Sequence, residues 1–110
     1  EIKKVIVNLV QNAFEASREG GAVIVETRKD NGGVCIRVID SGCGMTEDFM
    51  KNHLFKPFRT TKDMGLGIGL YQCRQIVEAH GGRLESQSAT GKGTVFTVCL
   101  PVAETDNLEP

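Results

Sequence analysis

Apolar residues open the chain at helical spacing: Ile2, Val5, Ile6, Leu9, Ala13 and Phe14 make one stripe, so residues 1–18 read as an amphipathic helix that Gly20-Gly21 ends. The pattern then shortens to β-branched runs, Ala22–Arg28 and Val34–Asp40, joined by Lys29-Asp30-Asn31-Gly32-Gly33. Asn-Gly and Gly-Gly tolerate the positive φ of a tight turn, so the two runs read as a hairpin. Asp40 leads into a glycine-broken loop and a short helix over Thr46–His53, with Thr46 as N-cap and Glu47 and Asp48 in its first turn. From Phe55 to Gly69 the chain reads mostly as loop. A second long helix follows over Ile68–Ala79, with Leu70, Cys73, Ile76 and Val77 inward and Gly81-Gly82 as its stop. Arg83–Ser88 and Val95–Leu100 are two further strands, separated by Thr90-Gly91-Lys92-Gly93. Helices layered on one face of a mixed, mainly antiparallel sheet, an α/β two-layer sandwich, bury these stripes most simply. Residues 1–101 form one domain in this reading, and 102–110 a polar, acidic tail expected to fray.

Composition narrows the classes. The 110 residues are 40% hydrophobic and 25% charged, as in a soluble globular fold, and hold room for one core. A net charge of -1 offers no basic surface for nucleic acid or an anionic membrane, so no nucleic-acid partner is expected. No apolar run approaches the roughly 20 residues of a membrane span, and no signal-peptide pattern opens the chain. Glu1 is not preceded by an initiator Met and the helical phase is already running, so the chain reads as a fragment of a longer protein. Cys35, Cys43, Cys73 and Cys99 lie far apart without a C-x-x-C pair, which excludes a zinc site by spacing. A disulfide framework is possible by count. Because Cys35, Cys73 and Cys99 fall in apolar-periodic segments, free buried thiols in a reducing, cytoplasmic setting are the expectation.

Four constellations carry candidate chemistry. Asn8 and Asn12 are four residues apart with Glu15 three further on, so all three project from nearly one side of the first helix. Amide oxygens suit Mg²⁺ when phosphates and water complete its octahedron. A solvated helix face would also account for the pair, although Asn is a mediocre helix former and two in mid-helix need a local reason. Next, Asp40-Ser41-Gly42-Cys43-Gly44-Met45 sets a carboxylate at the end of an apolar strand, placed to accept from the exocyclic amine of adenine, with glycines leaving room for a flat ring. An ordinary Asp-Gly turn is the plain alternative. In Lys62-Asp63-Met64-Gly65-Leu66-Gly67-Ile68-Gly69-Leu70, three alternate glycines run straight into a helix. Unpaired N–H groups and the helix dipole there form an anion nest for phosphates. Its spacing matches neither the Walker nor the Rossmann loop. Gly91-Lys92-Gly93-Thr94 reads as a hairpin turn whose Thr94 hydroxyl reaches Asp40 if their strands are neighbours.

Taken in order, these stretches resemble the N, G1, F, G2 and terminal glycine boxes of the ATPase superfamily that joins DNA gyrase, heat-shock chaperones, mismatch-repair ATPases and histidine kinases. The F box is similar to Leu54-Phe55-Lys56-Pro57-Phe58-Arg59-Thr60-Thr61-Lys62. The resemblance covers about residues 1–101 and implies the Bergerat ATP-binding sandwich. Hydrolytic members carry a Glu where this chain has Asn8, and a neutral amide cannot serve as general base. The Asn-x-x-x-Asn form, with Ile76-Val77-Glu78-Ala79-His80-Gly81-Gly82, resembles the catalytic and ATP-binding domain of a two-component sensor histidine kinase.

That resemblance implies ATP and Mg²⁺ as cofactors, with Asn12 as metal ligand and Asn8 beside it. It implies Asp40 at the adenine, with Gly42, Gly44 and Met45 around it and Thr94 supporting through water. Gly65, Leu66, Gly67, Ile68, Gly69 and Leu70 line the triphosphate, Phe58, Thr61 and Lys62 complete the pocket, and Glu15, where many such kinases have Lys, stands at its edge. Residues 46–64 become a lid latched by Phe55 and Phe58. The implied reaction is in-line transfer of the γ-phosphoryl group to a histidine on a dimerisation domain of the same or a sister chain, with a response regulator downstream and a homodimeric parent. Neither His53 nor His80 follows the acidic residue of a phosphoacceptor pattern, and capping accounts for His80. An ATP-hydrolysing role, or a non-catalytic nucleotide module, is the alternative.

Overall fold

The computed structural model describes residues 2–17, 21–30, 32–52 and 69–101. Helix α1 runs Ile2–Ala16, followed by strands β1 (Val23–Asp30) and β2 (Gly33–Asp40). Helices α2 (Glu47–Asn52) and α3 (Leu70–Ala79) precede β3 (Arg83–Ser88) and β4 (Thr94–Pro101). The sheet order is β1-β2-β4-β3, and every pair of described strands is antiparallel. Each hairpin is therefore a local unit, and the β2–β4 ladder sews the two together at the centre. This is the expected two-layer sandwich, its mainly antiparallel sheet being antiparallel throughout the described strands.

The β1–β2 turn is tighter than the five-residue loop read from sequence. Both strands run on until Asp30 faces Gly33, and Gly32 takes up the reversal with φ 71°. Helix α3 starts at Leu70, two residues later than expected, because Gly69 is extended (φ -91°, ψ 177°). Thr46 caps α2 as expected, its Oγ1 accepting from the Phe49 N–H at 3.1 Å.

On β2 and β4 the period of two sorts side chains by face. Val38, Phe96 and Val98 face the helices and bury against Val5, Leu9 and Ala13 of α1 and Cys73 and Val77 of α3, with Leu84 of β3 completing the core. Phe14 does not join them and is 64% exposed, a correction to the predicted stripe. At 100° per residue, Phe14 lies about 140° round the axis from Leu9, facing away from the sheet.

Two cysteine expectations also change. Cys73 is a buried free thiol as anticipated, pushed up to about 11 by loss of hydration. Cys35 and Cys99 are not free: the β2–β4 register sets them directly opposite, Cα atoms 4.1 Å apart, and they form a disulfide. Chain distance hid this pairing, since 64 residues separate the two.

Candidate functional site

Asp40 closes β2 on the helix-covered face and is 7% exposed. One carboxylate oxygen, Oδ1, accepts from the Gly42 N–H at 2.8 Å, which holds the group as the chain leaves the strand. Across the ladder its partner is Thr94, the first residue of β4 and also buried. Their strands are neighbours, as the pairing required, but the Thr94 hydroxyl donates to Ser88 and not to Asp40, a correction to the expected contact. The Thr94 hydroxyl bonds Ser88 Oγ at 2.9 Å. Ser88 Oγ donates to the Gly93 carbonyl at 2.8 Å, so Thr94 is the donor between the two hydroxyls. The same oxygen accepts from the Met45 N–H at 2.8 Å. Ser88 therefore ties three parts of the site together: the loop after Asp40, the β3–β4 turn and Thr94. Sequence reasoning missed it. Its only signal was phase, because Leu84, Ser86 and Ser88 alternate onto the core face.

The glycines around Asp40 have a packing reason. A Cβ on Gly42 would overlap the Ala16 carbonyl oxygen, and one on Gly44 (φ 74°) the Ala89 carbonyl oxygen. The loop after Asp40 is thereby pressed between the end of α1 and the β3–β4 turn, and the Gly91 N–H donates to the Cys43 carbonyl at 2.7 Å. Gly93 (φ 84°) lies against the Asp40 carbonyl, where any Cβ would collide. Met45 is half-buried and packs on the core beside this loop.

On α1, Asn8 is 3% exposed, so a solvated helix face does not describe it. The Asn12 amide nitrogen donates to Asn8 Oδ1 at 3.1 Å, aligning the two amides along one side of the helix. Asn12 is half-buried and Glu15 exposed, so the row rises from the core to the surface. Helices α1 and α3 pack against each other over the sheet. Gly69 provides no side-chain cap for α3, and its carbonyl accepts from the Cys73 N–H at 3.0 Å. The first N–H groups of α3 follow that uncapped glycine, with Leu70 half-buried behind them. Phe58, Thr61, Lys62, Gly65, Leu66, Gly67 and Ile68 lie outside the described residues, as do Phe55 and His53. His80 caps α3: its Nδ1 donates to the Ile76 carbonyl at 2.7 Å, which accounts for the residue without chemistry.

The donor set fits a metal only in company. Among the described residues no three His, Cys, Asp or Glu side chains cluster. Neutral amide oxygens on α1 would suit Mg²⁺ only where nucleotide phosphates bring the negative charge.

A buried strand-end carboxylate, a glycine-lined bend and an uncapped helix start are thus set on one two-layer α/β domain. Residues 1–104 match the family described as histidine kinase-, DNA gyrase B-, and HSP90-like ATPase, and the chain belongs to that family. Sporulation kinase C of Bacillus subtilis (strain 168) is 40% identical over 102 residues, a match covering 93% of this chain and 24% of that protein. The nucleotide-free catalytic domain of histidine kinase ThkA superposes with a TM-score of 0.78 at 39% identity, covering 91% of this chain and 65% of that one. ThkA has also been solved in complex with the response regulator protein TrrA; that chain is 36% identical with a TM-score of 0.77, covering 94% of this chain and 29% of its own length. The chain thus spans about a quarter or less of the curated relatives' length. The fold is that of histidine kinase catalytic domains, and ATP is the ligand class that family membership assigns. No helix among the described residues is long and apolar enough to cross a membrane.

Proposed function

We propose that this domain binds ATP with Mg²⁺ and transfers the γ-phosphoryl group to a histidine on the dimerisation domain of a sensor kinase. The observation that carries the choice of acceptor is Asn8. It is buried, neutral and bonded to Asn12, where a general base for water would need a carboxylate. Without a carboxylate at position 8, the domain's contribution is to position ATP and neutralise charge, which is most of what phosphoryl transfer requires. Asp40 takes the adenine amine through its remaining acceptor capacity, Thr94 and Ser88 stiffen that end of the pocket, and Asn12 offers an amide oxygen toward the metal. Gly65, Gly67 and Gly69 line the triphosphate with the start of α3, and Lys62 balances its charge. A homodimeric parent acting from the cytoplasm and passing the phosphate to a response regulator completes the proposal.

The test has two stages. Titration calorimetry of the chain with ATP and Mg²⁺ should show binding below the millimolar range that Asn12→Ala weakens; no binding overturns the nucleotide assignment. Adding a cognate dimerisation domain and labelled ATP should then yield acid-labile phosphohistidine. Label on Ser or Thr, or steady phosphate release by the chain alone that Asn12→Ala abolishes, refutes the histidine acceptor and restores the hydrolytic alternative.

A further inference from the structure

The sheet face turned away from the helices carries one row of four side chains in register: Arg28 on β1, Cys35 on β2, Cys99 on β4 and Arg83 on β3. The middle two are the disulfide, so the bridge has a guanidinium-bearing residue on each flank. The neighbouring row is Glu26, Arg37, Thr97 and Glu85. Its carboxylates are engaged, Arg37 bonding Glu26 at 3.2 Å and Arg83 reaching along its own strand to Glu85 at 3.1 Å. At this end of the sheet lies a cavity of about 370 Å³ whose wall includes Cys35, Cys99, Arg83, Gly33 and Gly82. Gly33 and Gly82 bring their backbones close against β4, where a Cβ would strike the Leu100 and Cys99 carbonyl oxygens. Exposed Gly32, Gly81 and Arg83 rim the opening.

We infer that the Cys35–Cys99 bridge is a thiol–disulfide exchange site for a low-molecular-weight thiol of the glutathione class, which enters through this cavity. Cys35 is the less buried of the pair, so its sulfur is the one attacked. The incoming thiolate forms a new S–S bond to Cys35 Sγ, the Cys35–Cys99 bond breaks, and the electron pair leaves on Cys99 Sγ, beside Arg83 across the ladder. Positive charge there favours an anionic leaving sulfur. A second thiolate attacks the small-molecule sulfur of the mixed disulfide and releases Cys35. Two small thiols become one small disulfide and the protein disulfide becomes two thiols, so electrons and protons balance. Disulfides in thiol-rich compartments are mostly transient or sensing bonds, which agrees with the cytoplasmic setting proposed above.

Exchange is read without ATP, so its outcome is independent of the nucleotide and histidine assignments. The oxidised native chain is incubated with reduced glutathione, quenched with acid and mapped by peptide mass. The expected sequence is one glutathione on Cys35, followed by free thiols at both Cys35 and Cys99, with re-formation of the bridge in glutathione disulfide. Arg83→Gln should slow the first step several-fold. A bridge that yields only in denaturant, a pair that never closes in glutathione disulfide, or an adduct on Cys99 in place of Cys35 overturns the inference. An unchanged rate in Arg83→Gln overturns the part given to the arginine. An adduct on exposed Cys43 is resolved by the mapping and does not enter the count.

Discussion

The two ends of the β2–β4 ladder are built by opposite means. At one end Asp40 faces Thr94, both buried on the helix side and held by hydrogen bonds to Gly42 and Ser88. At the other end Cys35 faces Cys99 on the open side, joined covalently. The two pairs are offset by an odd number of positions along each strand, so the pleat sends them to opposite faces. A polar pocket needs groups that are satisfied yet still able to meet a ligand, which hydrogen bonds allow. At the far end one covalent bond joins the central strands, and that bond is itself what the small thiol would meet. Glycine does different work at each as well. Gly93 and Gly44 combine positive φ with backbone contact, whereas Gly82 and Gly33 only let backbones approach.

The largest break in this comparison is Gly93→Ala. It adds left-handed strain to a collision with the Asp40 carbonyl, and should cost about 3 kcal/mol in urea unfolding. Gly91→Ala, with φ 80° and open space around it, should cost about 1 kcal/mol; equal costs would show that φ, not contact, governs the turn. Asp40→Asn should weaken ATP binding by roughly 10- to 100-fold in calorimetry, through loss of a charge-assisted bond to the adenine amine. The amide oxygen still accepts from Gly42, so thermal stability should change little; a large fall in Tm would make Asp40 a structural residue. Ser88→Ala should cost about 1–2 kcal/mol, because the Met45 N–H and the Thr94 hydroxyl both lose a partner. The last effect, confined to alkaline pH, concerns Cys73 in the core. Its folded-state value is raised from 9.0 to about 11 by burial, so its contribution is complete below pH 9 and lost as pH rises toward 11. Tm should fall more steeply over that window in the parent than in Cys73→Ala, and parallel curves would refute the assignment.

Local signals in this chain were legible wherever a short stretch decides the structure. The hairpin at Gly32, the Thr46 cap and the His80 cap depend on neighbours a few residues away, and all appear in the fold. Helix α1 was legible as a helix, but its core face was misread at Phe14, because an apolar residue can sit on either side of a stripe until a sheet supplies the direction. The site divides in the same way. Asp40 could be found because a carboxylate ending an apolar run is conspicuous on its own. Ser88 could not, since one serine ending a strand has no meaning until β4 and the loop after Asp40 arrive beside it.

By itself, the sequence determined the order and kind of the described elements and the two-layer class, since these follow from periodicity, turn chemistry and residue type over short windows. Only the tertiary structure decided which residues became partners. Asp40 with Thr94 and Cys35 with Cys99 are fixed by strand register, and Ser88 with Met45 by where the loop after Asp40 comes to rest on β3. Register is settled when the two hairpins dock through β2 and β4 and bury Val38, Phe96 and Val98 under α1 and α3. A one-residue slip there would turn every one of those core side chains to the open face, and burial of the core is what forbids it.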